Sequence, residues 1–145
     1  TPHIDPNVKG GFVGVSLINN HADFVRSVLE GVSFSLKNCL DIIEDMKVDI
    51  TDVRVSGGGA ESEVWRQILA DIFNYPLRTI KASEGPALGV AILAGVGVGI
   101  YESVEEACEK IIKGKDLVNP NCDNIALYDK IYEVYNSLYP RLKDI

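Results

Sequence analysis

The chain is predicted to be an α/β domain, and three features of its sequence predict it. Short runs dense in β-branched and apolar residues alternate with longer segments whose apolar residues recur every three or four positions. A glycine-rich turn, VSGGGAES at 55–62, follows one such run and precedes one such segment, as in a strand that passes directly into a helix. The 145 residues, 46% of them apolar, suffice for one domain with a sizeable core.

The elements follow in order. Residues 1–11, rich in Pro, Asn and Gly, are expected to be loop. FVGVSLI at 12–18 has the density of a short strand. From Asp23 onward Val25, Val28, Leu29, Val32, Leu36, Leu40 and Ile43 step by threes and fours, which predicts a long amphipathic helix capped by Asp23. DVRVSGGG then carries a strand, with Val53 and Val55 on one face, into the glycines. Ser62 caps a second helix along which Trp65, Ile68, Leu69, Ile72 and Phe73 keep helical spacing, and Pro76 ends it.

LRTI at 77–80 is a further short strand. Residues 83–99 form a third helix with Pro86 near its first turn. The apolar stretch at 86–100 is shorter than the roughly 20 residues a membrane span requires and is expected to be a buried helix. Its Ala87, Gly89, Ala91, Ala94 and Gly95 would admit a close neighbour, which must offset about 1 kcal/mol per glycine relative to alanine. Ser103 and Glu106 have capping-box spacing and open a fourth helix reaching about residue 113. Residues 113–124 are expected to be loop. Tyr128, Ile131, Tyr132, Tyr135, Leu138 and Tyr139 make a stripe on a last helix ending near Pro140, a half-buried packing face rather than a cofactor box.

Charge and cysteine usage narrow the partners. Fourteen Lys and Arg against 21 Asp and Glu give a net charge of -7 with no basic block, which excludes binding of nucleic acid by phosphate neutralisation. Cys39, Cys108 and Cys122 are widely spaced and odd in number, so neither a disulfide framework nor a zinc-ligand spacing is present, and a reducing, cytoplasmic setting is expected. TPHIDP at the start carries no initiator methionine and reads as the middle of a longer chain, as processing or tag removal would also leave it. His3 and His21 have no carboxylate or serine placed beside them by the sequence, so no catalytic triad is expected. His21 reads as a solvated loop residue, and Asp71 as a solvated or capping residue of an amphipathic helix.

Spacing alone leaves the glycine turn with more than one reading. A P-loop requires Lys and Ser or Thr after the last glycine, and GGGAESEV has neither the lysine nor the spacing. A dinucleotide fingerprint would use Gly57 and Gly59 but meets Ser62 at its third glycine, with Glu84 as the acidic residue downstream. A plain strand-to-helix turn explains the glycines equally well.

The surroundings carry a more specific signal. VSGGGAESEVWRQILADIFNYPL resembles the stretch near the C-terminus of FGGY-family carbohydrate kinases, most closely the xylulose kinases, in which a glycine-rich turn precedes a Trp-Arg-Gln and Ala-Asp helix. Upstream, residues 10–31 are similar to the family's second signature: Gly14 and Val15, a gap, then Asp23, Phe24, Ser27, Val28, Leu29 and Glu30. TPHIDPN resembles the segment before it, and residues 84–107 resemble the family's next helix and its continuation. The likeness covers nearly the whole chain and is least distinctive over the last 30 residues.

The resemblance implies an ATP-dependent sugar kinase with two actin-like, ribonuclease H-like domains, each a mixed sheet flanked by helices, closing on a cleft. Residues 1–145 would be the C-terminal part of the second, nucleotide-side domain, with the N-terminal sugar-binding and catalytic domain absent. By position, Gly58, Gly59 and Ala60 would approach the nucleotide, Gly57 would shape the turn, and Glu63 stands where some relatives place an amide. Trp65 would be core or a wall of the adenine pocket, with core the expected role. Glu84, Gly85 and Pro86 would shape the entry to the third helix, and His3 would lie near the interdomain cleft.

The intact enzyme would use ATP with Mg to convert D-xylulose to D-xylulose 5-phosphate; kinases of glycerol, gluconate or ribulose stay open, as does a homodimer. No catalytic residue and no metal ligand is expected in this chain, and the chain alone is expected to be inactive. Outside that family, a dinucleotide-binding module and a non-catalytic interaction domain, whose small-residue helix and tyrosine stripe would face a partner, remain alternatives.

Overall fold

The computed structural model describes residues 3, 5–80, 85–112 and 114–144. Among the described residues five α-helices and three strands follow in the order α1 (His21–Asp45), β1 (Val53–Val55), α2 (Glu63–Phe73), β2 (Leu77–Ile80), α3 (Gly85–Gly97), α4 (Val104–Ile111), β3 (Gly114–Val118) and α5 (Cys122–Leu142). The sheet is mixed, in the order β1-β2-β3. β1 pairs parallel with β2, Val53 opposite Leu77, and β2 pairs antiparallel with β3, Leu77 opposite Val118.

Helix α1 begins earlier than Asp23. Asn20 is its cap, with Oδ1 accepting from the Ala22 N–H at 2.8 Å, while Asp23 Oδ2 accepts from the Asn20 N–H at 2.8 Å. Asp23 is therefore the returning half of a capping box, and His21 is an exposed first helical residue rather than part of a loop. The apolar spacing located α1 but not its buried side: Val25, Val28, Val32, Leu36 and Ile43 are exposed, whereas Ser33, Phe34 and Leu40 are buried.

Helix α2 is the hub of the core. Ile68, Leu69, Ala70, Ile72 and Phe73 pack with Phe34 and Leu40 of α1, Leu77 of β2 and Tyr128 of α5. Each fully buried aliphatic side chain is worth about 1.5–3 kcal/mol relative to exposure. The predicted tyrosine stripe is confirmed as packing surface. Phe34 lies edge-on to Tyr128 and against Tyr132 and Tyr135, with ring centroids 6.0, 5.7 and 5.3 Å away.

Several expectations are corrected. Residues 12–18 are not a strand: Gly14 lies at φ +82°, Asn19 Oδ1 accepts from the Ser16 N–H at 2.8 Å, and Leu17 and Ile18 are exposed. Without a ladder partner among the described residues, local side-chain bonds hold that backbone instead. The supposed loop at 113–124 contains β3 and the start of α5. β3 escapes its composition because it is a polar edge strand, and Thr79 accepts the Asp116 N–H at 2.9 Å where the ladder is irregular.

Asn74, in the left-handed region at φ 55°, ends α2 before Pro76 is reached. Helix α4 stops at Ile111, and Glu106 accepts from the Glu102 N–H at 2.6 Å rather than from the Ser103 cap. Pro140 lies inside α5, near enough to its end that one lost backbone bond is tolerated.

Helix α3 is not buried. Val90 and Leu93 are exposed, as are Val98 and Ile100 just beyond the helix, and among the described residues of α3 only Ile92 and Gly95 are buried. Among the described residues it packs chiefly on α4, and of its two predicted contact glycines Gly95 closely approaches the Tyr101 ring while Gly89 has nothing within 4 Å of where a Cβ would stand.

Candidate functional site

The glycine turn sits between β1 and α2 on an open surface. Gly57 has φ 84° and ψ -178°, a combination reserved in practice for glycine. Gly58–Glu61 then makes a single 3-10 turn, in which the Ala60 N–H donates to the Gly57 carbonyl at 3.0 Å and the Ser62 N–H to the Gly59 carbonyl at 3.3 Å. Ser62 closes the unit as the expected cap of α2, its Oγ accepting from the Trp65 N–H at 3.3 Å.

The three glycines are not equivalent. Gly57 answers a backbone requirement. At Gly59 a Cβ would stand 2.6 Å from Trp65 Cζ3, so the residue must be small for the indole to pack beneath it. At Gly58 the backbone is outside the left-handed region and a Cβ would meet nothing within 4 Å. Neither conformation nor packing calls for glycine there.

Trp65 is half-buried and packs against the core, in accord with its expected role. Its Nε1–H donates to Ser33 Oγ at 3.1 Å, and Ser33, fully buried, donates in turn to the Leu29 carbonyl at 2.8 Å. The turn is thus seated on an indole that α1 holds in place. Glu63 points outward with its side chain 91% exposed, and the Arg66 guanidinium is 4.0 Å away.

Arg66 was not singled out by spacing. Its Nη1–H donates to the Ala60 carbonyl at 3.0 Å, and the same nitrogen lies 3.8 Å from Asp116 Oδ2 on β3. The side chain is only 11% exposed, and Nε is buried without a hydrogen-bond partner among the described residues, a cost of about 1–3 kcal/mol.

Asp71 is buried rather than solvated. Oδ1 accepts from Gln67 Nε2 at 2.7 Å and from the Asn121 N–H at 2.8 Å, and Oδ2 accepts from Asn124 Nδ2 at 2.7 Å. It fastens the start of α5 to α2 and is fully occupied in doing so. His3 stacks on Tyr139 with ring centroids 3.7 Å apart, and with Asn7, Lys9, Asn38 and Asn136 it lines a cavity of about 510 Å³ between the N-terminal segment and the end of α5. The Asp5 carboxyl beside it is held below its usual range by the Asn7 N–H and then by the Tyr139 hydroxyl. That cavity does not include the glycine turn, so His3 and the glycines do not meet in one site.

Gly85 and Pro86 open α3, and Glu84 lies outside the described residues. Among the described residues no three His, Cys, Asp or Glu side chains gather to hold a metal ion, and no helix is long and apolar enough to cross a membrane.

Residues 1–98 match the C-terminal domain of the FGGY family of carbohydrate kinases. Over all 145 residues the chain is 38% identical to xylulose kinase of Staphylococcus epidermidis and 33% identical to that of Bacillus subtilis, covering 29% of each relative. Its fold superposes on the crystal structure of xylulose kinase from Rhodospirillum rubrum with a TM-score of 0.84 at 26% identity, over 97% of this chain and 28% of that one. The chain therefore spans less than a third of the length of these relatives.

Proposed function

The chain belongs to the FGGY family of carbohydrate kinases, and we propose that residues 1–145 are the C-terminal part of the nucleotide-side domain of an ATP-dependent kinase, most like xylulose kinase. The intact enzyme would phosphorylate D-xylulose to D-xylulose 5-phosphate in the cytoplasm, with nucleotide and sugar meeting between this domain and an N-terminal one. The three thiols, all free, suit a reducing compartment.

Gly58 is the single observation that carries the placement of the nucleotide. A glycine required neither by φ nor by a neighbour is accounted for by a ligand laid against the backbone, where any Cβ would stand between them. Gly59 and Ala60 extend that surface, Gly57 sets its angle, and Glu63 borders it at the first turn of α2. Trp65 supports the turn from below.

What the chain contributes is orientation. The turn holds the adenosine side of the nucleotide, and transfer of the phosphoryl group requires a base and a metal-bound phosphate that other residues must supply.

The alternatives outside the family find less support. Gly57 and Gly59 already have structural reasons, and Ser62 is occupied as a cap, which leaves a dinucleotide fingerprint without its parts. Tyr128, Tyr132 and Tyr135 pack inward on Phe34 and are not a free partner surface.

Calorimetric titration of the intact kinase with Mg-ATP and with NAD tests the reading. Gly58→Val is expected to weaken ATP binding about tenfold or more while leaving the melting temperature unchanged. Gly59→Val is unsuitable as the diagnostic change because it displaces Trp65 as well. Binding of NAD without ATP, or unaltered ATP affinity in Gly58→Val, would defeat the proposal.

A further inference from the structure

We propose that Arg66 is a positioning residue for nucleotide binding, holding the glycine turn in its binding shape through the Ala60 carbonyl; this rests on the nucleotide-side reading of that turn.

The turn has fixed points at each end and one underneath. Gly57 sets its entry through a left-handed φ, and the Trp65 indole supports Gly59. Its exit is at Ala60, and there the restraint from outside the turn is the Arg66 Nη1–H bond of 3.0 Å to the Ala60 carbonyl. The guanidinium is itself located by Asp116 Oδ2 at 3.8 Å on β3, a strand held to β2 through the Thr79 hydroxyl. Arg66, on the second turn of α2, therefore ties the glycine turn back to its own helix and, through Asp116, to the sheet edge.

Two further observations favour a positioning role over a plain surface staple. The side chain is almost entirely buried, and it is held although Nε has no hydrogen-bond partner among the described residues. The partner it reaches is a backbone carbonyl within the proposed binding surface, whereas the pair with exposed Glu63 is long at 4.0 Å. A lysine would keep the charge, but its ammonium sits on a shorter, flexible stem and lacks the planar guanidinium that aims Nη1–H at the Ala60 carbonyl.

Steady-state kinetics of the intact kinase, with ATP and D-xylulose varied separately, provide the test. Arg66→Lys is expected to raise the KM for ATP about tenfold, with kcat and the KM for D-xylulose changed less than about twofold. Asp116→Asn, which loosens the guanidinium without removing it, should raise the KM for ATP in the same direction by about threefold. An unchanged KM for ATP in both folded variants, or a uniform loss of all parameters that tracks the folded fraction, would overturn the role of Arg66. Should the parent enzyme show no ATP-dependent phosphorylation of any sugar, the kinase reading fails instead, and the two failures are told apart before any variant is made.

Discussion

Tyr132 shows how a single hydroxyl can make stability depend on pH. It donates to Asp41 Oδ2 at 2.5 Å and also lies 2.7 Å from Asn38 Oδ1. Burial and then the Asp41 carboxylate push its pKa up to about 12. Because the folded value lies above the unfolded one near 10, the stabilisation is complete below about pH 10 and is lost as pH rises toward 12. Urea melts between pH 9 and 12 should show stability falling across that window, and Tyr132→Phe should reduce the slope. Lys37, Tyr75 and Tyr128 shift in the same direction, so part of the slope remains. An identical slope in the variant would show that another group carries it. At the same scale, Gly58 and Gly59 look alike in the sequence but differ in what surrounds them, since Trp65 confronts only one of them.

At the level of elements, the joint between α2 and α5 depends on a carboxylate. Asp71 receives three hydrogen bonds, one of them from the backbone N–H of the α5 cap residue Asn121. Asp71→Ala strands those donors in a buried setting and is expected to destabilise the fold by about 2–3 kcal/mol, measured by urea unfolding. A loss below about 0.5 kcal/mol would mean that the donors find water. Asp71 was legible as a polar residue of an amphipathic helix, but its partners at 121 and 124 are some fifty residues away in sequence and had no local signal. β3 was missed for a related reason, since an edge strand is specified by its neighbour's open ladder and not by its own composition.

For the whole molecule, the core gathers about α2 while Val90 and Leu93 of α3 and much of the apolar face of α1 stay exposed. The chain covers 29% of the length of its kinase relatives. The 145-residue chain by itself is accordingly expected to show no transfer of phosphate from Mg-ATP to D-xylulose above a protein-free blank in a coupled assay. Robust turnover would place a base and a phosphate grip within these residues and refute the division of labour proposed above.

Local chemistry determined much of this protein. Helical spacing marked α1, α2 and α5, cap residues such as Ser62 and Ser103 marked helix starts, and the glycine turn with its Trp-Arg-Gln helix marked the family. These signals are legible because they arise from neighbours within a few residues along the chain. Tertiary structure alone decided which side of α1 is buried, that residues 12–18 have no strand partner among the described residues, that Asp71 is buried, and that Arg66 reaches back to Ala60. Those outcomes depend on which distant surfaces meet, and burial and hydrogen bonding are settled only when they do.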